Sequence, residues 1–369
     1  MNVKTKVMYL LEYPIDLPGG AQMSTESLCE GLGNTEFEPI VVCPGLLKKK
    51  KEAYPFRIIE YPMGEGRIWN LSMRLWAFFK IIGKEKPQVV HIQMPESLIT
   101  YGLLHGMGCF RNSRLIFTDR GLFYGYRSHS MALMKAALRR ADLMLTTTQF
   151  NKSLWEKGSR VRPVRVVANT ISSAFLEYEP AKRNGEGFVL GFAGRVCEEK
   201  NWPLAVRLVQ MVRDAGVECQ VEIVMSVFES GDMDVVNETV GGMKRALGEE
   251  NVRSHLDYTQ AQMADFYYNV DVFVMTSQFE SFGKAAVEAM SRKCAVISTD
   301  VGGLSEVIGK AENLYQAEHP EKAVAYIRKL WEDRETRREE QEYFYRRYKE
   351  EYSQERCLAD HLKIYRQLV

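Results

Sequence analysis

No window of the 369-residue chain approaches the roughly 20 apolar residues that a membrane-crossing helix needs, so the sequence predicts no spanning helix. The short apolar run at residues 7–11 is followed by Glu12 and Asp16, too little for a secretion signal. Seven cysteines are scattered from Cys29 to Cys357 and never spaced CxxC, which argues against a disulfide framework or a zinc knuckle. A cytoplasmic location is the expectation. Charge of one sign is lacking too: 49 Lys and Arg against 48 Asp and Glu leave +1, and with that goes the bulk electrostatic reason to expect nucleic acid as a partner. No GxxxxGK[ST] loop occurs, and residues 185–191 place Leu190 where a dinucleotide fingerprint needs its third glycine. Short-period repeats and low-complexity tracts are absent as well.

What is present is an ordinary globular composition, 46% hydrophobic and 26% charged, at a length beyond what one core usually organises. Short apolar runs at 7–11, 39–43, 89–92, 115–118, 143–147 and 164–167 alternate with helix-length segments, the signature of parallel α/β layers. After a polar stretch at 177–187 the alternation restarts with runs at 188–193, 220–225, 272–275 and 295–298. Two α/β domains follow: 1–180, then a linker at 181–187, then 188–349, with a C-terminal helix at 350–369. From about residue 318 onward, dense mixed charge reads as largely solvated helices.

The charge balance hides a split. Residues 1–185 hold 26 Lys and Arg against 16 Asp and Glu, hence +10, and the remainder carries −9. The first half therefore suits an anionic partner such as a phosphorylated acceptor or a lipid surface, solvated charge being the plainer alternative. Within it lie a cationic run at 48–51 and the stretch 68–82, where Trp69, Leu71, Leu75, Trp76, Phe78, Phe79 and Ile82 sit among Arg67, Arg74 and Lys80. That composition fits either an anionic interface or a helix facing the core. Peripheral contact with the inner face of a membrane through the first domain is the reading to test against the core-facing helix.

The chemistry concentrates in residues 272–308: a strand VFVMTS, then QFESFG, a helix KAAVEAMSRK, a strand CAVIST, a DVGG turn and SEVI. A loop carrying Glu280 and a helix opening at Ser281 to Lys284 put backbone N–H groups at a strand's C-terminal edge, where α/β folds bind anions. Glu280 and Glu288, eight residues apart, would be separated on a helix by about 12 Å of rise and roughly 80° of rotation. They cannot share a proton, which excludes a close carboxylate pair but suits two contacts on one elongated ligand.

With this order of segments the chain resembles the family 4 (group 1) retaining glycosyltransferases of the GT-B type. Glu280-Ser281-Phe282-Gly283 through Glu288-Ala289-Met290 matches the EX7E motif, and Gly194-Arg195 through Glu199-Lys200 resembles the GR…EK phosphate motif. Pro18-Gly19-Gly20-Ala21 resembles the N-terminal glycine loop, Val301-Gly302-Gly303 the later turn, and 352–368 the terminal helix that returns to the first domain. The resemblance implies an α/β fold of two Rossmann-like domains with parallel sheets facing across a cleft. It implies an enzyme moving a sugar from a nucleotide-sugar donor, a UDP-sugar by family frequency, to an unidentified saccharide, lipid-linked or small-molecule acceptor.

Retention of configuration and independence of any metal or other cofactor belong to the same implication. Arg195 and Lys200 would neutralise the departing nucleotide diphosphate in place of a metal, two exposed cations at a helix start being the bland alternative. Glu280 would hold the sugar and Glu288 the ribose, with Ser281, Phe282, Gly283, Lys284, Gly19 and Gly20 binding the donor. Three departures stand out. Arg120 occupies the place before Gly121 where the family commonly has histidine, so a proton shuttle gives way to a clamp on a hydroxyl or phosphate, with Asp119 orienting the acceptor or merely shaping a turn. His91, at another family histidine position, is equally readable as structural. Residues 226–229 replace a glycine-rich turn, so the base pocket is altered. Asp232-Met233-Asp234 reads DxD but falls in a polar loop, not a metal site. A nucleotide-sugar-binding regulatory subunit without turnover and a sugar-nucleotide epimerase are the competing readings.

Overall fold

Consecutive Val, Ile, Leu and Phe fill the strands because each sheet is covered by helices on both faces, which removes the alternation of a half-exposed sheet. The computed structural model describes residues 4–17, 19–63, 66–161, 163–182, 187–229 and 231–369. Pro18 of the glycine loop, the side chain of Arg67 and most of the 181–187 linker lie outside the described part.

The chain divides into two units, one formed by Met1–Thr170 with Gln354–Val369 and the other by Ile171–Ser353. The first carries seven strands: β1 (Thr5–Leu10), β2 (Phe37–Pro44), β3 (Arg57–Tyr61), β4 (Val89–Ile92), β5 (Arg114–Asp119), β6 (Leu143–Thr146) and β7 (Val164–Val166). They form a parallel sheet in the order β3-β2-β1-β4-β5-β6-β7. Its helices are α1 (Gly20–Leu32), α2 (Arg67–Glu85), α3 (Pro95–Gly106), α4 (Ser128–Leu138) and α5 (Gln149–Gly158). Met8 and Leu10 face a core closed by α2, α3 and α4, whereas Val7 and Tyr9 face one closed by α1 and the chain's last helix.

The second unit has a six-stranded parallel sheet of β8 (Val189–Arg195), β9 (Gln220–Ser226), β10 (Val252–Leu256), β11 (Val272–Met275), β12 (Ala295–Thr299) and β13 (Leu314–Tyr315). Its order is β10-β9-β8-β11-β12-β13. The helices are α6 (Trp202–Asp214), α7 (Asp232–Leu247), α8 (Gln260–Tyr268), α9 (Lys284–Ser291), α10 (Leu304–Ile308), α11 (Glu321–Glu332) and α12 (Arg334–Arg347). α6, α7 and α11 cover one face through Leu208, Val209, Met243 and Ile327, and α8 packs Tyr267 edge-on against Phe273 on the other.

Two boundaries differ from the sequence expectation. Residues 171–180 group with the second unit because Arg292 donates to the carbonyls of Ala174 and Phe175, at 2.8 and 3.1 Å, and the Tyr268 hydroxyl bonds the 177–179 backbone. Residues 350–353 stay there too, in a π-helical turn, Tyr348–Tyr352. The last helix, α13 (Gln354–Leu368), belongs to the first unit: Gln354 Nε2 donates to the Ser27 carbonyl at 2.7 Å, and Tyr365 is buried against Phe37. The strands missed from sequence, β3, β10 and β13, are all sheet edges. β10 reads VRSHL with one buried position and β13 has two residues, so neither shows an apolar run.

Candidate functional site

In an open parallel sheet, ligands gather beyond the carboxyl ends of strands where the strand order reverses. That point lies between β8 and β11 in the second unit and between β1 and β4 in the first.

At the second unit's switch point, β8 ends on Arg195, which is exposed, and the chain turns through a short 3-10 segment, Glu198–Lys200, before α6. The loop after β11 is bonded directly to it. Thr276 Oγ1 donates to the Lys200 carbonyl at 2.8 Å and the Gln278 N–H to the Glu199 carbonyl at 2.8 Å. The side chains meet as well: Lys200 Nζ lies 2.8 Å from Glu280 Oε2, each group largely buried. Glu280 sits in the loop, because Gly283 at φ +89 breaks the backbone ahead of α9, so the helical spacing assumed for Glu280 and Glu288 does not apply.

Glu280 is fixed from behind by the glycine turn. Gly302, at φ +58, brings its backbone so close to the Glu280 carbonyl that a Cβ would stand 2.0 Å from the oxygen, and Gly303 N–H donates to that same oxygen at 3.0 Å. Helix α9 opens with no side-chain cap and no acid in its first turn, so the positive end of its dipole is not offset by a carboxylate there. Ser281 is half-buried, and Phe282 is buried edge-on against Tyr352, so its ring serves packing within this unit. Glu288 is buried on α9 and accepts a bond from the Tyr267 hydroxyl at 3.2 Å. Burial pushes its carboxyl up, and the charges of Lys284 and Lys200 act in the opposite sense. The structure thus brings Lys200, Glu280, Lys284 and Glu288 together.

At the first unit's switch point, α1 begins at Gly20 without a side-chain cap and without an acid in its first turn. Gly19 is extended, at φ −179, and a Cβ there would meet only the flexible end of Gln22, so its backbone does not itself demand glycine. Arg120 donates from Nε to Gln93 Oε1 at 2.7 Å and from a terminal nitrogen to Asn169 Oδ1. Ser24 and Thr25 of α1 donate to those same two amide oxygens, at 2.7 and 3.0 Å. Burial lowers the Arg120 guanidinium to about 10, so it stays cationic at neutral pH.

Asp119 has a different occupation. One oxygen accepts the Gly121 N–H and the Tyr126 hydroxyl, the other Asn151 Nδ2 and Trp155 Nε1, and the residue is fully buried. All four acceptor directions of the carboxylate are filled, which makes it a residue that shapes the turn before Arg120. His91 is likewise saturated, between Tyr365 and Thr118 at 2.7 Å each, and burial keeps it neutral.

One family model, Glycosyltransferase Family 4, matches residues 18–175, and another, Glycosyl transferases group 1, matches residues 177–347. The chain belongs to the group 1, family 4 glycosyltransferases. It is 30% identical over 195 residues to a 2-deoxystreptamine glucosyltransferase of Streptomyces kanamyceticus, an alignment covering 48% of each chain. The chain spans about half the length of the curated relatives it matches first. Among solved structures it resembles the sucrose-phosphate synthase of Thermosynechococcus elongatus, with a TM-score of 0.83 at 16% identity over 99% of both chains. It also resembles Anabaena HepE in complex with UDP, with a TM-score of 0.80 at 15% identity over 98% of this chain and 100% of that one. At those identities the likeness concerns the fold, which is GT-B.

For a family 4 glycosyltransferase chain, two features escaped the sequence reading. Phe228 and Phe279, both exposed, stand beyond the ends of β9 and β11, on either side of β8 in the sheet. Their only sequence signal was an aromatic residue inside a polar loop. Glu12, just after β1, is buried and accepts the Ser97 N–H at 2.9 Å. The DxD stretch corrects an expectation: residues 232–234 form the first turn of α7, not a loop, with Asp232 Oδ2 accepting the N–H groups of Phe228 and Glu229 at 2.7 and 3.0 Å. Among the described residues no group of three His, Cys, Asp or Glu is arranged to hold a metal ion.

Proposed function

We propose that this chain transfers a sugar from a UDP-sugar to a saccharide, lipid-linked or small-molecule acceptor, with retention of anomeric configuration and without a divalent cation. The observation that carries the reading is the Lys200–Glu280 pair at the switch point of the second sheet, where the GR…EK and EX7E segments are bonded to each other. An ammonium has three donors, and Glu280 engages one, leaving two for the oxygens of a diphosphate. Arg195 adds a second cation, and the N-terminus of α9, with no acid in its first turn, adds the positive end of its dipole. These groups stabilise the charge that builds on the leaving nucleotide, the task a metal performs in other transferases. Glu280 contacts the sugar, Glu288 the ribose diol, and the exposed rings of Phe228 and Phe279 offer faces to the base. In the first unit Arg120 holds a fixed positive charge for a hydroxyl or phosphate, and Asp119 positions it.

The glucosyltransferase relative and the UDP-bound neighbour support a UDP-sugar donor. The test is nucleotide release from UDP-glucose, UDP-N-acetylglucosamine and GDP-mannose, with the anomeric configuration of any product read by NMR. Glu280→Ala should chiefly lower turnover and Glu288→Gln chiefly weaken donor binding. Equal kinetic parameters for both variants and the parent would remove the assignment.

A further inference from the structure

The outer surface of the first unit carries a feature that sugar transfer does not use. Helix α2 divides its apolar residues between two faces. Ala77, Phe78 and Ile82 are buried in the core, while Trp69, Trp76 and Phe79 are 58%, 51% and 54% exposed. Spaced 69, 76 and 79, the exposed rings form one stripe about 15 Å long on the solvent side. The stripe continues sideways, Phe79 packing on Phe110 with ring centroids 6.1 Å apart, and Leu103 of α3 and Met107 just after it are themselves 45% and 70% exposed. Isolated surface apolar groups are ordinary, but a continuous aromatic patch marks a contact surface.

Charge identifies what meets it. From Arg67 to Leu138, through α2, α3 and α4, the sequence has ten Lys and Arg against three acids, Glu85, Glu96 and Asp119. Not all ten cations reach the surface, since Arg74 is buried and Arg120 is bonded to Gln93 and Asn169, but the acids are held as well. Glu85 is buried against Arg57 and Lys6, Glu96 is paired with Arg74 at 2.6 Å, and Asp119 is buried among its four donors. Lys80, Lys84, Lys86 and Arg111 are exposed around the rings, with Lys80 Nζ 4.2 Å from the Trp76 ring centroid. Tryptophan and phenylalanine rimmed by lysine and arginine match the headgroup zone of an anionic bilayer, which takes the rings at the acyl boundary and the cations at the phosphates. Double-stranded nucleic acid, its bases stacked inside, would satisfy the cations but leave this row of rings without an apolar phase.

We propose that the α2–α3 face docks on an anionic phospholipid surface through Trp69, Trp76 and Phe79, with Lys80, Lys84 and Arg111 supplying the attraction. The contact is peripheral, since no described helix is long and apolar enough to cross a membrane. It stands independently of the transfer reaction.

The full chain should co-sediment with phosphatidylglycerol-rich vesicles at low salt and stay in solution with pure phosphatidylcholine. Binding should fade at 1 M salt, where the screening length is about 3 Å. Removing three cations, Lys80→Gln with Lys84→Gln and Arg111→Gln, should weaken partition about a hundredfold, from roughly fivefold for each charge near the surface. The variant Trp69→Ser, Trp76→Ser, Phe79→Ser should lose vesicle binding while keeping its circular dichroism spectrum, and brominated lipid should quench tryptophan fluorescence of the parent. The proposal is overturned by failure of the folded parent to bind at low salt or by undiminished binding of the aromatic variant. It is equally overturned if vesicles are ignored while light scattering shows a dimer that the aromatic variant dissociates, or while heparin alone captures the chain.

Discussion

Gly302→Ala puts the geometry of the donor side to its most direct test. The substitution adds one carbon, which would lie 2.0 Å from the Glu280 carbonyl oxygen and 3.1 Å from its carbon, so the Glu280 backbone must withdraw by about 1 Å or more. Withdrawal strains the Gly303 N–H bond to the same oxygen, worth about 1 kcal/mol, and alanine at φ +58 adds about 1–2 kcal/mol of left-handed strain. A stability loss of about 2–3 kcal/mol follows. The kinetic consequence is larger than its energy suggests, because a displacement near 1 Å in a positioning loop can cost about a hundredfold in rate. Gly216→Ala is the matched control: its φ is +79, nothing lies within 4 Å of the added carbon, and it bears only the backbone strain. Urea denaturation and nucleotide release from UDP-glucose, measured on both variants, separate the two contributions. Turnover of Gly302→Ala within about threefold of the parent, with a stability loss no larger than that of Gly216→Ala, would refute the claim that the turn holds Glu280.

Other outcomes can be stated briefly. Arg195→Ala should lose about a hundredfold in turnover, the usual consequence of deleting one preorganised contact worth on the order of 3 kcal/mol, and EDTA should leave the parent's activity intact. A strict need for manganese or magnesium would contradict that account. Glu12 tests the first unit through pH: burial raises its carboxyl from 4.5 to about 7, so the folded state favours the protonated form. The sign follows directly, since its contribution to stability is full below pH 4.5 and is lost as pH rises through 7. Glu12→Gln should therefore melt like the parent at pH 4 and exceed it at pH 8 by about 2–4 kcal/mol, and identical melting curves at pH 8 would discard the burial argument.

How much of this was legible in the sequence depended on where each residue sits. Central strands such as β4, β11 and β12 announced themselves because burial on both faces demands unbroken apolar runs. The edge strand β10 was silent for the converse reason, as its Arg253 and Ser254 face solvent, whereas the edge strand β7 kept an apolar run at 164–167 and was legible. The EX7E and GR…EK segments were legible because each is continuous in sequence. Their joining was not, since it depends on β8 and β11 being neighbours although some 80 residues separate Lys200 from Glu280. The 68–82 stretch was ambiguous for a physical reason: one helix both closes a core and presents rings to solvent, and composition cannot assign individual residues to faces.

Arg120 shows how a departure from a family pattern gains meaning only through its surroundings. Beside a carboxylate, a buried guanidinium would be neutralised and structural. Here Gln93 and Asn169 bond it through amide oxygens, which hold the cation in place without cancelling its charge, and Ser24 and Thr25 fix those amides in turn. The nearby acid, Asp119, is fully occupied by Gly121, Tyr126, Asn151 and Trp155. A carboxylate so occupied, and fully buried, has no acceptor direction left to bond Arg120 or a ligand. Where the family resemblance implies an imidazole that could carry a proton, the chain has a cation that cannot lose one at neutral pH, in an amide frame that preserves its charge. Stabilisation of negative charge by a fixed dipole or ion needs no proton transfer, so this difference leaves the proposed transfer chemistry intact. On the proposed reading, the first unit's part in that chemistry is electrostatic rather than proton traffic.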